Sequence, residues 1–90
     1  MSLKWTAPAR RDIQDLSDYY SRIDRNLAER MEHAVEVEPL RLLDHPYMGA
    51  QTVAAEVRKW RVRGTPYQLY YRVTGRDIVI LHVARDAFWR

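Results

Sequence analysis

Three cations alternate in a short segment of the second half of the sequence. Lys59, Arg61 and Arg63 are spaced by two residues. Side chains at this spacing lie on one face of a β-strand. Three positive charges on one face can bind phosphate groups, and Tyr70 beside them could stack on a base. The simpler explanation is a solvated strand face with a packing tyrosine.

Two dipeptides that begin with glycine, Gly64-Thr65 and Gly75-Arg76, separate three segments rich in β-formers. This pattern predicts strands over 57–63, 66–74 and 77–85, joined by two type II′ hairpin turns. The turns fix the register. The predicted pairs are Trp60 with Leu69, Lys59 with Tyr70, Arg61 with Gln68, Val73 with Ile78, Tyr71 with Ile80, Gln68 with Val83 and Pro66 with Arg85.

The register sorts the strand residues onto two faces. The apolar face, predicted to be the core side, carries Trp60, Val62, Tyr67, Leu69, Tyr71, Val73, Ile78, Ile80, His82 and Ala84. We interpret His82 as a hydrogen-bonded structural histidine. The other face, predicted to remain open, gathers Lys59, Arg61, Arg63, Gln68, Tyr70, Arg72 and Arg85 around Val79, Leu81 and Val83. We place the function on this open face, because cations beside uncovered aliphatic side chains are unusual for an inert surface.

The apolar patch on the open face is a candidate docking site for a partner segment. It consists of Val79, Leu81 and Val83, with Tyr70 and Arg72 beside it. A sheet edge is expected nearby, so the partner could add a strand or lay a helix across the patch. The alternative is that the chain's own C-terminal segment covers it, but only residues 86–90 follow the last strand.

The first half of the sequence predicts one short strand and two helices. Residues 3–5 alternate, Thr6 can cap a helix over 7–22, and Asp24 can cap a second helix. Pro39 interrupts that helix, and the leucines beyond it predict a kink or a restarted turn before a loop at 44–49. The fold is therefore predicted to be α+β, in the order β-α-α-β-β-β. A helical hairpin packs on one face of an antiparallel sheet, in a single domain over 1–90.

Composition limits the possible functions. The chain has 90 residues, a net charge of +3 and no cysteine, so it has neither disulfides nor a thiolate zinc site. No apolar run is long enough for a signal peptide or a membrane span, and a cytoplasmic location is expected. His33 and His45 have no ligands at metal spacing, and no glycine-rich phosphate loop is present. We expect no metal and no cofactor.

Several strings, in their order and spacing, resemble the RelE/ParE superfamily of bacterial toxins from type II toxin-antitoxin pairs. They are Trp5-Thr6 before a helix, 45–49 before the sheet, Val57-Arg58, the tyrosine-led segment 67–73 and the aliphatic segment 78–83. The resemblance covers nearly the whole chain. It implies a growth-inhibitory cytoplasmic toxin, held in a hetero-oligomer by a cognate antitoxin that wraps it.

The superfamily implies two possible targets. RelE-like members cleave mRNA on the ribosome, and for that activity the resemblance would assign Lys59, Arg61, Arg63 and Arg85 as metal-independent catalytic residues. Gln68 stands where such enzymes carry an arginine, so the site is incomplete. ParE-like members poison DNA gyrase, and the long helical hairpin favours this assignment. A degenerate member that binds antitoxin without toxicity is the third alternative.

Overall fold

A computed structural model describes residues 1–85, and its helices and strands follow the predicted order. They are β1 (Ser2–Trp5), α1 (Ala7–Ser21), α2 (Arg25–Val37), a 3-10 segment (Glu38–Leu43), β2 (Ala50–Gln51), β3 (Arg58–Arg61), β4 (Tyr67–Val73) and β5 (Asp77–Arg85). The sheet order is β1-β5-β4-β3-β2. The predicted α+β fold is confirmed, and the sequence pattern missed only the two-residue strand β2.

The first strand is parallel to β5, whereas the other neighbouring strands are antiparallel. Parallel pairing needs a long connection, and here both helices and the strands β2–β4 lie between β1 and β5 along the chain. Both predicted caps are confirmed. The Thr6 hydroxyl accepts the Ala9 N–H at 3.2 Å, and the Asp24 carboxylate accepts the Asn26 N–H at 2.8 Å.

Pro39 changes the helix type without stopping the chain's helical path. The α2 helix ends at Val37, and the 3-10 segment continues from Glu38 through Leu43. This confirms the predicted restart, since proline removes one backbone donor and crowds the preceding turn. The segment buries Leu42 completely, so the apolar pattern beyond the proline serves the core.

The core lies between the helical hairpin and one sheet face. It includes Leu16, Tyr20, Ala28 and Val35 from the helices, and Val62, Tyr67, Leu69, Tyr71, Ile78, Ile80 and Val83 from the sheet side. Ile23 continues the apolar spacing of the first helix but is 62% exposed. The spacing no longer applies there because α1 has already ended at Ser21.

Both turns keep the predicted register but not the predicted type II′ geometry. At the first turn the Thr65 N–H donates to the Val62 carbonyl at 3.2 Å, and Gly64 has a φ of 79°. The expected bond from residue 66 to Arg63 cannot form, because Pro66 has no N–H. At the second turn Gly75 does not adopt the positive φ that a type II′ turn requires.

The register agrees with prediction until the middle of the last hairpin, where β5 contains a bulge. Val73 pairs with Ile78 and Tyr71 with Ile80, as expected. The pairing then shifts between Tyr70 and Tyr71, so Tyr70 pairs with His82. One extra residue, Leu81, is accommodated on β5. Because side chains alternate, this offset moves every later residue of β5 to the other face.

Candidate functional site

Two of the predicted cations share the face that points away from the helices. Lys59 pairs with Tyr70 and Arg61 pairs with Gln68, so all four side chains project from that face. Trp60 lies between them and packs against the core, as predicted. Arg61 is exposed and Lys59 is half-buried. The first hairpin therefore places Lys59 and Arg61 where the sequence predicted them.

The bulge removes Arg85 from this group. Arg85 pairs with Tyr67, a core residue, instead of with Pro66. Its guanidinium carbon lies 5.6 Å from the centre of the Tyr67 ring, and its Nη2 lies 3.5 Å from the hydroxyl of Tyr20 in α1. The prediction that Arg85 and Arg61 share a face is therefore wrong. The two arginines lie on opposite sides of the sheet.

The same offset corrects three neighbouring assignments. Val83 pairs with Leu69 and is 4% exposed in the core, not on the open face. Ala84 pairs with Gln68 and leaves the core face on which it was predicted. The predicted docking patch of Val79, Leu81 and Val83 therefore loses Val83.

His82 is the third corrected residue, since it pairs with Tyr70 and not with Leu69. Its Nδ1 lies 3.0 Å from the Asp12 carboxylate of α1. The interpretation as a hydrogen-bonded histidine is confirmed, but the position inside the core is wrong. The same Asp12 oxygen accepts the Val83 N–H at 2.9 Å, so it supplies a hydrogen bond where β1 no longer borders β5.

Arg63 turns toward the helical side and joins a buried glutamate. Its Nε lies 3.4 Å from Glu38 Oε1, and Glu38 is only 7% exposed. The Trp60 indole N–H donates to the other Glu38 oxygen at 2.9 Å, and Arg41 approaches at 3.9 Å. The placement of Arg63 beside Lys59 and Arg61 is therefore wrong. A buried carboxylate needs such donors, which explains the orientation of Arg63.

The predicted open face is not uniformly exposed. Tyr70 is completely buried and Gln68 is 9% exposed, although both project away from the helices. Val79 is half-buried and pairs with the exposed Arg72. Leu81, the extra residue of the bulge, is half-buried. The alternative that the C-terminal segment covers this patch concerns residues 86–90, which lie outside the described part of the chain.

A loop that is hydrogen-bonded to the sheet, and that the sequence did not assign to the site, adjoins the cationic strand. The Tyr71 hydroxyl donates to the Pro46 carbonyl at 2.8 Å and accepts the Gly49 N–H at 2.9 Å. Arg58 donates to the carbonyls of Tyr47 and Gly49 at 3.2 and 2.8 Å. Burial raises the pKa of the Tyr71 phenol, against the opposing effects of the Gly49 hydrogen bond and the Arg58 charge. Gly49 was the only feature of the sequence that indicated this close contact.

The Arg85 side is rich in tyrosine. Tyr20 meets Tyr19 edge-on with 4.9 Å between ring centres, and meets Tyr67 in a similar way at 6.4 Å. Burial, and then hydrogen bonding with Tyr20, raise the pKa of Tyr67, while the Arg85 charge opposes the rise. The sequence did not indicate this group, because its members come from α1, β4 and the end of β5.

Within residues 1–85, no group of histidine and acidic side chains is arranged to hold a metal ion. None of the helices in the same range is long and apolar enough to cross a membrane.

Comparisons with known proteins agree with this architecture. The chain matches the family model of the "ParE toxin of type II toxin-antitoxin system, parDE" over residues 3–87. It is also similar to a solved structure of a chromosomal ParDE toxin-antitoxin system from P. aeruginosa. The identity is 28% and the TM-score 0.82, with 94% of this chain and 95% of that chain covered. Curated protein sequences give no match.

The strand, helical hairpin and meander place this protein among the RelE/ParE superfamily toxins, as the sequence strings indicated. Within that class the chain belongs to the ParE toxin family of type II toxin-antitoxin systems.

Proposed function

We propose that this toxin inhibits growth by binding DNA gyrase, and that a cognate antitoxin holds it inactive in a toxin-antitoxin complex. The observation that carries the choice of target is the dispersal of the four candidate catalytic cations. Lys59 and Arg61 share one face, Arg63 pairs with Glu38, and Arg85 lies over Tyr67. Hydrolytic or transfer chemistry at one phosphate requires such groups to converge within hydrogen-bonding reach of the reacting atoms.

Residue 68 gives separate support for a binding function. Gln68 is 9% exposed and has no positive charge, so it cannot stabilise a developing charge on a phosphate as an arginine would. Lys59 and Arg61 remain suited to electrostatic contact with a large anionic surface such as the DNA held by gyrase. The proposed role of this cationic pair is therefore positioning on the target, without bond breaking.

Two measurements after induction without antitoxin separate the alternatives. Supercoiling of plasmid DNA and trapped gyrase–DNA complexes report the proposed target, while mapping of mRNA 5′ ends reports ribosome-dependent cleavage. Loss of supercoiling with intact mRNA is the expected result. Codon-periodic mRNA cleavage would replace the proposal with a RelE-like endonuclease, and normal growth would identify a degenerate antitoxin-binding member.

A double variant tests the cationic pair. We expect Lys59→Ala with Arg61→Ala to abolish growth inhibition. The variant should remain folded, because neither side chain belongs to the core, and surface substitutions of this kind usually change stability by less than about 0.5 kcal/mol. Arg63→Ala is the matched control, since it removes a neighbouring cation that points toward Glu38 instead. Unchanged toxicity in the double variant would remove this face from the mechanism.

Two residues of the open face are accessible to an antitoxin. Arg72 and Val79 pair across β4 and β5 and are accessible, so they remain candidate contacts for the antitoxin. Tyr70 and Val83 are buried in the described chain and could not contact a partner without rearrangement.

A further inference from the structure

One surface of the toxin, on the side of the helices, has the composition of a protein-binding site. Tyr19, Tyr20, Tyr67 and Arg85 form a continuous group, which we name the tyrosine–arginine cluster. Ring centres are 4.9 Å apart for the first two tyrosines and 6.4 Å apart for Tyr20 and Tyr67, and the Arg85 guanidinium lies 5.6 Å from the Tyr67 ring. The members come from α1, β4 and β5, so the fold itself assembles the cluster.

The cluster presents hydrogen-bond donors and a positive charge. Arg85 is exposed, and no carboxylate of residues 1–85 lies within ion-pair distance of it. Its guanidinium has five N–H donors, of which the structure directs one toward the Tyr20 hydroxyl at 3.5 Å. The hydroxyls of Tyr20 and Tyr67 are hydrogen-bonded to each other, so the guanidinium supplies the donors for a ligand. A cation flanked by two phenol groups fits an oxyanion, for which a guanidinium offers a planar pair of donors.

The packing holds these donors in place before any ligand arrives. Tyr20 is 7% exposed and Tyr67 is 9% exposed, so both rings are packed in the core. The Arg85 guanidinium lies against the Tyr67 ring, which limits its rotation. A preorganised group loses less conformational entropy on binding than a mobile surface arginine.

The surroundings favour a protein carboxylate over a nucleic-acid phosphate. Tyrosine and arginine are the residue types enriched in binding hot spots of protein interfaces, and Tyr19 adds a ring that is 51% exposed. Nucleic acid is usually bound by several cations along its backbone. Lys59 and Arg61 cannot extend a phosphate track to Arg85, because they project from the other sheet face.

We propose that the tyrosine–arginine cluster binds an acidic segment of the antitoxin. A carboxylate of that segment contacts the exposed Arg85 guanidinium, which Tyr20 and Tyr67 orient from below, while an apolar neighbour covers the Tyr19 ring. The net charge of +3 on the toxin complements an acidic partner. This inference rests on the proposed antitoxin partner, but it does not depend on whether gyrase is the target.

The test is the dissociation constant of purified toxin variants with the antitoxin encoded beside the toxin. Arg85→Gln should weaken binding by about tenfold to a hundredfold, as expected for a charged hydrogen bond, and should reduce its dependence on salt. Tyr20→Phe and Tyr67→Phe retain the packed rings and should each weaken binding by about twofold to tenfold. Arg76→Gln is the matched control, because Arg76 is an exposed arginine in the turn before β5, at the opposite end of that strand.

The readouts separate a binding role from a structural one. Thermal unfolding of Arg85→Gln should match that of Arg76→Gln, so a loss of affinity cannot be assigned to misfolding. If Arg85→Gln binds the antitoxin as tightly as the control does, the proposed site is overturned. It is also overturned if Arg85→Gln loses affinity only for a DNA duplex of mixed sequence. A wild-type toxin that does not bind the antitoxin would overturn the partner itself, whereas the gyrase result is measured independently.

Discussion

The close contact between Gly49 and Tyr71 gives a quantitative test of the structure. A Cβ at residue 49 would lie 2.5 Å from the Tyr71 hydroxyl oxygen, 2.8 Å from a carbon of the same ring and 2.7 Å from the Lys59 carbonyl oxygen. Tyr71 is completely buried, and the Lys59 carbonyl belongs to β3. Neither neighbour is the flexible end of an exposed side chain, so Gly49→Ala requires the loop to move.

The cost of Gly49→Ala follows from that movement. Overpacking a core position costs about 1–3 kcal/mol. Displacement of the loop also breaks the two hydrogen bonds of the Tyr71 hydroxyl, each contributing about 1 kcal/mol. The expected loss is therefore about 3–5 kcal/mol, which is a large part of the stability of a small domain. At about 4–8 °C per kcal/mol, the melting temperature should fall by at least about 12 °C.

The other two glycines are matched controls, and urea titration followed by tryptophan fluorescence measures all three variants. A Cβ at Gly75 meets nothing within 4 Å, so Gly75→Ala should be neutral or stabilising by up to about 1 kcal/mol. Gly64 also has open space, but its φ of 79° should cost about 1–2 kcal/mol in Gly64→Ala. A Gly49→Ala variant no less stable than Gly64→Ala would refute the reasoning.

Three further predictions concern the Tyr71 hydroxyl, the buried Glu38 and its partner Arg63. The raised pKa of Tyr71 means that the folded state keeps its proton above pH 10, where the unfolded state releases it, so stability should fall as pH rises. Tyr71→Phe should reduce this alkaline loss by up to about 1.4 kcal/mol per pH unit, and equal slopes in urea titrations at several pH values would contradict it. Glu38→Ala leaves the Trp60 indole N–H without its acceptor and should cost about 1–3 kcal/mol. Arg63→Ala should cost less than about 1 kcal/mol, because that side chain is 69% exposed, and a larger effect than Glu38→Ala in the same titration would reverse this ranking.

Features that depend on residues close together in the sequence could be predicted from the sequence. Thr6 and Asp24 cap their helices because each side chain reaches an N–H two or three residues ahead. Pro39 ends the α-helix because its ring crowds the preceding turn, and a 3-10 segment follows. The short connection after Arg61 fixes the pairing of β3 with β4. The predicted turn types at Gly64 and Gly75 are wrong. At the first of them, Pro66 already excluded the expected hydrogen bond.

Only half of the candidate site could be predicted from the sequence, because the other half depends on one β-bulge. Lys59 and Arg61 precede the bulge and were placed correctly, whereas Val83 and Arg85 follow it and were assigned to the wrong face. The bulge lies where β1 ends its pairing with β5 at Ile80. Beyond that point, side chains of Thr6 and Asp12 supply hydrogen bonds to β5 in place of a strand. A one-residue offset reverses the direction of the side chains that follow it, and the sequence of β5 contains no local signal for the bulge.

The sequence by itself determined the fold class, the helix caps, the pairing of the first hairpin and the resemblance to the toxin superfamily, since each rests on local spacing or on strings. Only the tertiary structure decided which cations share a surface, because their directions depend on contacts between distant segments. Glu38 turns Arg63 toward the helices, and Tyr20 and Tyr67 hold Arg85 on the same side. Lys59 and Arg61 are left together on the opposite face.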